Sequence, residues 1–339
     1  MNAKNLIFGF GSGLLAMALA GGASAQSEPF AGATIRIIVG TSPGSTYDNF
    51  AQTMSERMGR FISGNPQIIV QNQPGAGGAK AAAYIYNVAP KDGTVMGHLQ
   101  QNLPLFQALT PEKVKYDMAR MNWIGTLTDI ASVLAVRSGA KVTTLEGAKS
   151  QELMFGMTGR GSETYQVPTA MNAVLGTKFK LVGGYRGING MDFAIQQSEL
   201  DGRGGLYLSW IARKPNWVRD GKVKFLVQIG LAKSRDLPTV PLLSDLAPDA
   251  RSRQLLELLS SAGAVGRSIV APADIPPERV AILRTAFDAM VADAGFKASL
   301  AKRNLPLNPV SGTKIQKIVR NTVGAPKDLA QELRKILGL

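Results

Sequence analysis

The stretch Ala33-Thr-Ile-Arg-Ile-Ile-Val-Gly40, followed by Thr41-Ser-Pro-Gly-Ser45, decides the fold class of this chain. The first part is a β-branched apolar run, which is typical of a buried strand, and the proline and glycine of the second part end that strand. Apolar residues then recur at helical spacing at Phe50, Met54 and Met58. A strand, a tight loop and a helix in this order predict one unit of a parallel sheet.

The same order repeats along the chain. Further strands are predicted at 67–71, 94–99, 132–136, 153–157, 178–182 and 224–229, and helices at 79–88, 144–149, 188–197, 251–261 and 277–293. This alternation predicts an α/β fold with mainly parallel sheets flanked by helices. A second alternating set begins near Trp123, and the prolines of 237–248 suit a crossing segment. We therefore expect two lobes, with 26–125 and 238–339 in lobe 1 and 126–237 in lobe 2.

Composition narrows the functions open to this chain. With 339 residues, 45% of them apolar and 18% charged, it is long enough for about two globular domains. It contains no cysteine, which excludes thiol nucleophiles, zinc–thiolate clusters and disulfides, and its single histidine, His98, excludes a multi-histidine metal site. We therefore expect no metal and no cofactor. The formal net charge is +14, and this excess of bases needs an explanation.

The first 25 residues have the layout of a secretory signal peptide. Lys4 precedes the uncharged run Leu6–Ala20, which small residues follow, and cleavage is expected after Ala25. A membrane anchor is the alternative, but about fifteen helical residues span only about 22 Å of a hydrocarbon core about 30 Å thick. Lys4 is the only base in this segment, so the excess charge belongs to the exported chain.

Two known motifs are matched only in part. Gly40-Thr-Ser-Pro-Gly44 fits the elbow that carries the nucleophile of serine hydrolases, but Pro43 has no N–H for an oxyanion hole, and His98 is the only histidine that could serve as base. Gly75-Ala-Gly-Gly78 resembles the start of a dinucleotide-binding loop, but the sixth position is not glycine or alanine. A secreted esterase that uses Ser42 stays as an alternative function.

Two strand-to-helix loops, 41–46 and 158–162, are rich in serine and threonine. Helix amino termini present unpaired N–H groups and a partial positive charge, so such loops bind anions. Ordinary capping of the following helix is the alternative interpretation for each single hydroxyl. Because ligands of open α/β sheets lie beyond the carboxyl ends of the strands, two such loops in two lobes predict a carboxylate pocket between them.

Several stretches resemble one known family. They are Val70-Gln-Asn-Gln-Pro-Gly-Ala-Gly-Gly78, Ala89-Pro-Lys-Asp-Gly93, Thr158-Gly-Arg-Gly-Ser162, Gly184-Tyr-Arg-Gly187 and Pro276-Pro-Glu-Arg279. Together with the signal peptide and the Pro43-Gly44 turn, they resemble the solute receptors of tripartite tricarboxylate transporters, the Bug family, over essentially the whole exported chain. The resemblance implies a type II-like periplasmic binding protein of two lobes, with the ligand cleft between the lobes and no enzymatic activity.

The resemblance also implies which residues bind the ligand. In the family, the loops after the first strand and after the strand at 153–157 hold one carboxylate through backbone amides, hydroxyls and bridging waters. Carried over, the ligand-binding residues are Thr41, Ser42, Gly44, Ser45, Thr46 and Tyr47 in a first jaw (41–47) and Thr158, Gly159, Arg160, Gly161 and Ser162 in a second jaw (158–162). Weaker candidates for lining the cleft are Asp48, Asn72, Gly77, Tyr185 and Arg203.

The roles of three of these side chains have two interpretations each. Asp48 is either a charge at a helix amino terminus or a ligand contact. Arg160 either binds the second carboxylate of a ligand with its planar guanidinium or is a solvated loop cation. Tyr185, with the aromatic residues of 207–217, either stacks on an aromatic ligand or packs in the core of lobe 2.

The expected function is a monomeric periplasmic receptor that captures a small di- or tricarboxylate, or an aromatic acid, for the membrane subunits of a transporter. A carboxylate sensor that feeds a signalling system is the alternative. The excess bases concentrate in runs such as 203–224 and 297–320, outside the jaws, and no nucleic-acid-reading motif occurs, so we expect no nucleic-acid partner. These runs either form a solvated surface, draw anions towards the cleft or orient docking.

Overall fold

The computed structural model describes residues 28–185 and 187–339. The expected signal peptide, 1–25, and Arg186 lie outside these residues. Within them the chain forms two sheets, each with helices on both faces, which confirms the two-lobed α/β fold. No helix in this part of the chain is long and apolar enough to cross a membrane.

The strands and helices follow the alternation predicted from the sequence. The strands are β1 (Thr34–Val39), β2 (Gln67–Asn72), β3 (Val95–His98), β4 (Asn122–Thr126), β5 (Ser132–Arg137), β6 (Leu153–Gly156), β7 (Phe179–Val182), β8 (Gly202–Leu206), β9 (Val223–Ile229), β10 (Ser268–Ala271) and β11 (Val310–Ser311). The α-helices are α1 (Thr46–Ser55), α2 (Ala79–Asn87), α3 (Leu103–Leu109), α4 (Leu145–Ser150), α5 (Glu163–Leu175), α6 (Ile188–Gln196), α7 (Tyr207–Arg213), α8 (Pro215–Arg219), α9 (Ala250–Val265), α10 (Pro277–Ala292), α11 (Ala294–Lys302), α12 (Gly312–Val323) and α13 (Lys327–Leu337).

The sheet of lobe 1 has the strand order β11-β4-β10-β3-β1-β2. β1 pairs in parallel with both β2 and β3, as the alternation predicts. β10 runs antiparallel to β3 and β4, and β11 antiparallel to β4. This sheet is mixed rather than mainly parallel, because β10 arrives from lobe 2 and enters at the edge where the parallel strands end.

The sheet of lobe 2 has the strand order β7-β6-β8-β5-β9 and is mixed for the same reason. β6 pairs in parallel with β7 and β8, whereas β5 is antiparallel to β8 and β9. Ser132, the first residue of β5, lies opposite Leu206, the last residue of β8. β5 therefore enters from lobe 1 at the edge where the parallel strands of lobe 2 end.

The β-branched run of β1 is buried on both faces. Ile35, Ile37 and Val39 belong to a hydrophobic cluster with α1 and α10, whereas Ile38 packs into a cluster with α2 and α12 on the other face. Successive strand residues point to opposite faces, so an uninterrupted apolar run suits a sheet covered on both sides. Complete burial of a side chain of this size contributes about 1.5–3 kcal/mol, which makes β1 the anchor of lobe 1.

Part of the segment 238–339, which the sequence assigns to lobe 1, packs on the sheet of lobe 2. Leu243, Leu255 of α9 and Leu333 of α13 join the cluster that contains Leu134 and Phe155. These helices carry apolar residues that cover one face of the second sheet. The segment therefore serves both lobes, and the lobe boundaries near residues 125 and 237 stay a prediction.

Two of the segments that connect the lobes pair with each other. The segment 127–131 leads from β4 to β5, and the segment 263–267 comprises the end of α9 and the two residues before β10. The Leu127 N–H donates to the Arg267 carbonyl at 3.0 Å, the Arg267 N–H to the Thr128 carbonyl at 2.9 Å, and the Ile130 N–H to the Gly263 carbonyl at 3.0 Å. We call these two paired segments the hinge.

The hinge requires glycine at position 266. Gly266 has φ +54°, and a Cβ added there would lie 2.1 Å from the Thr128 carbonyl oxygen. We expect Gly266→Ala to lower the free energy of unfolding by more than about 2 kcal/mol. The alanine would be strained at this positive φ, and its Cβ would also clash with the backbone of the other segment. Urea unfolding measures the loss.

Gly176→Ala is the control for this prediction. Gly176 has a φ of +69° and a ψ of 22°, against a ψ of −133° at Gly266, and no atom lies within 4 Å of the added Cβ. Only the conformational cost of about 1 kcal/mol remains there. Equal losses in the two variants would show that close approach at the hinge contributes nothing.

Candidate ligand-binding site

The parallel strands of both sheets end at the hinge. In lobe 1, β10 begins beside the end of β3, and in lobe 2, β5 begins beside the end of β8. The first jaw follows β1 and the second jaw follows β6, so both loops lie at these edges, next to the crossing segments. The carboxyl ends of parallel strands are where open α/β sheets bind their ligands.

A hydrogen-bond network centred on Asp48 holds the first jaw. One oxygen of the buried Asp48 carboxylate accepts from the Gly44 N–H at 2.8 Å, and the other accepts from Asn72 Nδ2 at 2.9 Å. Asn72 Nδ2 also donates to the Thr41 carbonyl at 3.1 Å. Both oxygens of Asp48 are thus used inside the loop, which favours its interpretation as a helix-terminal charge. Asn72 acts through the loop, as a positioning residue.

Ser45 is the N-cap of α1. Its hydroxyl accepts from the Asp48 N–H at 3.2 Å and lies 2.6 Å from the Thr41 hydroxyl. Capping accounts for the side chain of Ser45 but leaves the N–H groups of Thr46 and Tyr47, in the first turn of α1, without an acceptor among the described residues. These donors, with the exposed hydroxyls of Ser42 and Thr46, are available to an anion.

A buried arginine that the sequence did not single out reaches the first jaw from the hinge. Arg267 has 6% of its surface exposed, and its guanidinium stacks on the Tyr47 ring at 4.0 Å. Its Nη1 donates to Gln101 Oε1 at 2.8 Å, while the Gln101 N–H donates to the Tyr47 hydroxyl at 3.1 Å. Its Nη2 forms no hydrogen bond within the described part of the chain. Arg267 therefore brings a positive charge to the first jaw with one terminal nitrogen free.

The second jaw is built from three hydroxyl residues around the start of α5. The Thr158 N–H donates to the Thr164 hydroxyl at 3.1 Å, and the Ser162 hydroxyl lies 2.7 Å from the same oxygen. Ser162 donates through both its N–H, at 3.1 Å, and its hydroxyl, at 2.6 Å, to the Gly159 carbonyl. Gly159 has φ +150°, and a Cβ added at Gly159 or Gly161 meets nothing within 4 Å, so the loop leaves open space beside it.

Glu163, the first residue of α5, adds a carboxyl group to this end of lobe 2. Burial raises its pKa above the ordinary value. The sequence does not mark this residue as part of a site, because an acid in the first turn of a helix also serves to complement the helix dipole.

A family model described as the tripartite tricarboxylate transporter family receptor matches residues 49–334. The chain belongs to this receptor family. The resemblance stated from the sequence motifs is thereby confirmed. The family consists of solute receptors rather than enzymes, and its model covers most of both lobes.

Relatives and solved structures agree with the membership in the receptor family. A UPF0065 protein of Cupriavidus necator is 24% identical over 327 residues, which cover 92% of this chain and 90% of that protein. A TctC solute binding protein from Polaromonas, without ligand, has a TM-score of 0.70 at 19% identity, covering 88% of this chain and 98% of its own. A protein of R. palustris with adipate has a TM-score of 0.61 at 17% identity, covering 90% and 97%. These structures share the fold of the receptor.

Arg203 of the receptor lies in the interior of lobe 2 instead of lining the cleft. It is fully buried, its Nε donates to Asp192 Oδ1 at 2.6 Å, and its guanidinium stacks on Trp210 at 3.8 Å. The glycines beside Arg203 leave room for its side chain to be buried. From the sequence alone, these glycines could equally belong to an exposed loop. Trp210 accordingly packs in the core of lobe 2, which is the second of the two interpretations given for the aromatic residues of 207–217.

The remaining sequence candidates take different places in the receptor. Arg160 extends towards the carboxyl terminus, with its Nη1 4.0 Å from where a Cβ on Gly338 would stand. Tyr185 is half-buried and packs at the edge of the hydrophobic cluster around Trp210. Gly77, at φ +61°, lies in the turn after β2 with no atom within 4 Å of an added Cβ. Contact of these residues with a ligand stays a prediction.

His98 is fully buried at the end of β3, beneath the first jaw. Its ring packs 5.0 Å from the Tyr47 ring, and its Nδ1 lies 3.1 Å from the Ser268 carbonyl oxygen. Burial, reinforced by the positive charge of Arg267, lowers the pKa of His98 to about 3. A base must have a pKa near the working pH and must reach its nucleophile, so this arrangement does not favour an esterase that uses Ser42.

The low pKa of His98 predicts a pH dependence of stability. In the unfolded chain a histidine binds a proton at about pH 6.5, whereas folded His98 does so only near pH 3. Between these values the unfolded state binds more protons, so the free energy of unfolding should fall as the pH drops, by up to about 1.4 kcal/mol per pH unit. Urea unfolding from pH 7 down to about pH 4 measures this slope.

His98→Gln is the matched variant for this prediction, since its amide can still donate to the Ser268 carbonyl. It should lose the part of the slope due to His98 and keep the part due to carboxyl groups. The same slope in both proteins would contradict a neutral, buried His98.

Proposed function

We propose that this receptor closes its two lobes on a small organic carboxylate held between the first and second jaws. The observation that carries the proposal is the juxtaposition, at one hinge, of two helix-start loops with free donors and of Arg267 with a free Nη2. Helix amino termini and guanidinium groups both favour anions. Lobe closure would exclude water and strengthen these contacts.

The presence of a jaw on each side of the hinge favours an acid with a second polar end. Arg267 and the first turn of α1 suit one carboxylate. The first turn of α5, where the N–H groups of Glu163 and Thr164 have no acceptor among the described residues, offers a second set of contacts. Adipate, which is present in the R. palustris structure of the same fold, is a dicarboxylate of this class.

Export and delivery belong to the same proposal. A signal peptide at 1–25 would send the receptor to the periplasm, and membership in the transporter receptor family supports delivery of the ligand to membrane subunits. A carboxylate sensor would use the same cleft and the same closure.

The proposal predicts stabilisation by carboxylates. A ligand at about 100 times its Kd should raise the free energy of unfolding by about 2.7 kcal/mol, which corresponds to several degrees in Tm. A thermal-shift screen of aliphatic and aromatic mono-, di- and tricarboxylates, with matched primary alcohols as neutral controls, measures this. No shift with any acid, or equal shifts with acids and alcohols, would contradict carboxylate binding.

The two arginines near the jaws are distinguished by a matched pair of variants in the same screen. Arg267→Gln should weaken both hexanoate and adipate by about 10-fold or more, because a charge-assisted hydrogen bond is worth about 1.5–3 kcal/mol. Arg160→Gln should weaken adipate and leave hexanoate unchanged if Arg160 binds the second carboxylate. Equal effects of Arg160→Gln on the two acids would remove that role, and unchanged binding in Arg267→Gln would remove Arg267 from the site.

A further inference from the structure

A basic cavity of about 430 Å³ lies on lobe 1 between α10 and α12. Three bases and three side-chain amides dominate its lining: Arg284, Lys317, Arg320, Asn122, Gln316 and Asn321. None of the described residues that line it is acidic. Such a concave surface of one charge sign concentrates anions.

The cavity lies at the end of lobe 1 opposite the ligand cleft. Asn122 is the first residue of β4, whose last residue, Thr126, leads into the hinge. The far end of this strand is thus separated from the jaws by the length of the sheet. Binding in the basic cavity would leave the jaws free.

The cavity is held in place by hydrogen bonds to β4 and to the chain just before it. Gln316 accepts from the Trp123 N–H at 3.1 Å and donates to the Ala119 carbonyl at 3.1 Å. Arg284 donates from Nε to the Trp123 carbonyl at 2.9 Å. The guanidinium of Arg284 is therefore fixed through Nε, with its two terminal nitrogens left for another partner.

The three bases lack the carboxylate partners that other arginines of this chain have. Arg251 and Arg303 each bind glutamate at 2.8 Å and 2.6 Å, respectively. Within the described residues, Arg284, Lys317 and Arg320 form no ion pair. Burial and the positive charge of Arg320 lower the pKa of Arg284, and Asp288, one turn further along α10, opposes this only in part. An anion placed among these bases would relieve their mutual repulsion.

The shape of the basic cavity favours an extended peptide over a single small anion. Thr313, Lys317 and Arg320 follow one face of α12 and line the cavity over about 11 Å, at 1.5 Å per residue. An extended chain covers this length with about three to four residues. We propose that the basic cavity is a docking surface for a carboxylate-rich segment of a partner protein, recognised by Arg284, Lys317 and Arg320.

A fluorescence anisotropy titration with a labelled tetraglutamate peptide tests this proposal. The full exported chain should bind the peptide in low salt and lose it in high salt, because the contact is between exposed charges. Lys317→Gln/Arg320→Gln, which changes two exposed side chains, should weaken binding about tenfold or more. Lys297→Gln/Lys302→Gln on α11 removes the same charge from another exposed part of lobe 1 and should change binding less than about twofold.

The cleft variant Arg267→Gln separates this proposal from the proposed function. It should bind the peptide as the unaltered protein does, whatever its affinity for carboxylates. Equal losses in the two double variants, or no binding in low salt, would overturn the proposal. Binding of pyrophosphate as tightly as the peptide would also overturn the proposal, because it would assign the cavity to a small anion. Binding of phosphatidylglycerol vesicles without binding of the peptide would overturn it too, because it would assign the cavity to a membrane surface.

Discussion

The backbone pairing of the two crossing segments is the constraint on which the rest of the receptor depends. Hydrogen bonds between 127–130 and 263–267 join the lobes at the edges where the parallel strands of both sheets end. This junction makes both sheets mixed, sets the two jaws on either side of one hinge and brings Arg267 to the ring of Tyr47. Gly266 is the residue without a side chain that lets the segments approach. A change in hinge geometry would therefore move the jaws and the buried cation together.

The distribution of charge separates the two binding surfaces proposed for this chain. The cleft offers mainly uncharged donors, in the first turns of α1 and α5, with Arg267 as a buried cation at the hinge end. Desolvated contacts of this kind lose little strength in salt, whereas the exposed bases of α12 are screened. Part of the net charge of +14 thus forms the basic cavity at the far end of lobe 1.

The sequence predicted β1, β2, β3, β5, β6, β7 and β9, but it missed β8 and β10. β1, β2, β3, β6 and β7 are short apolar runs that turn signals end, and their periodicity is local. β8 was not predicted because its sequence, Gly-Arg-Gly-Gly-Leu, lacks the apolar run of a strand. Its glycines allow close approach to β5: a Cβ on Gly202 would lie 2.1 Å from the Ala135 carbonyl oxygen. β10 has only four residues and pairs with strands far away in sequence. Arg267 was missed with it, because only that long-range pairing brings it to the first jaw.

The positions of the two jaws were predicted from a resemblance and from the chemistry of helix amino termini. Which side chains hold the loop and which stay available to a ligand was not predicted. Asp48, Ser45 and Asn72 use their polar atoms to hold the loop, which no local pattern reveals. A crystal structure of the receptor with adipate tests the central claim most directly. We expect one carboxylate within hydrogen-bond distance of the Thr46 or Tyr47 N–H and of Arg267, with the second jaw closed over the other end. Adipate bound away from the first jaw, or bound there without contact to Arg267, would contradict this assignment of the site.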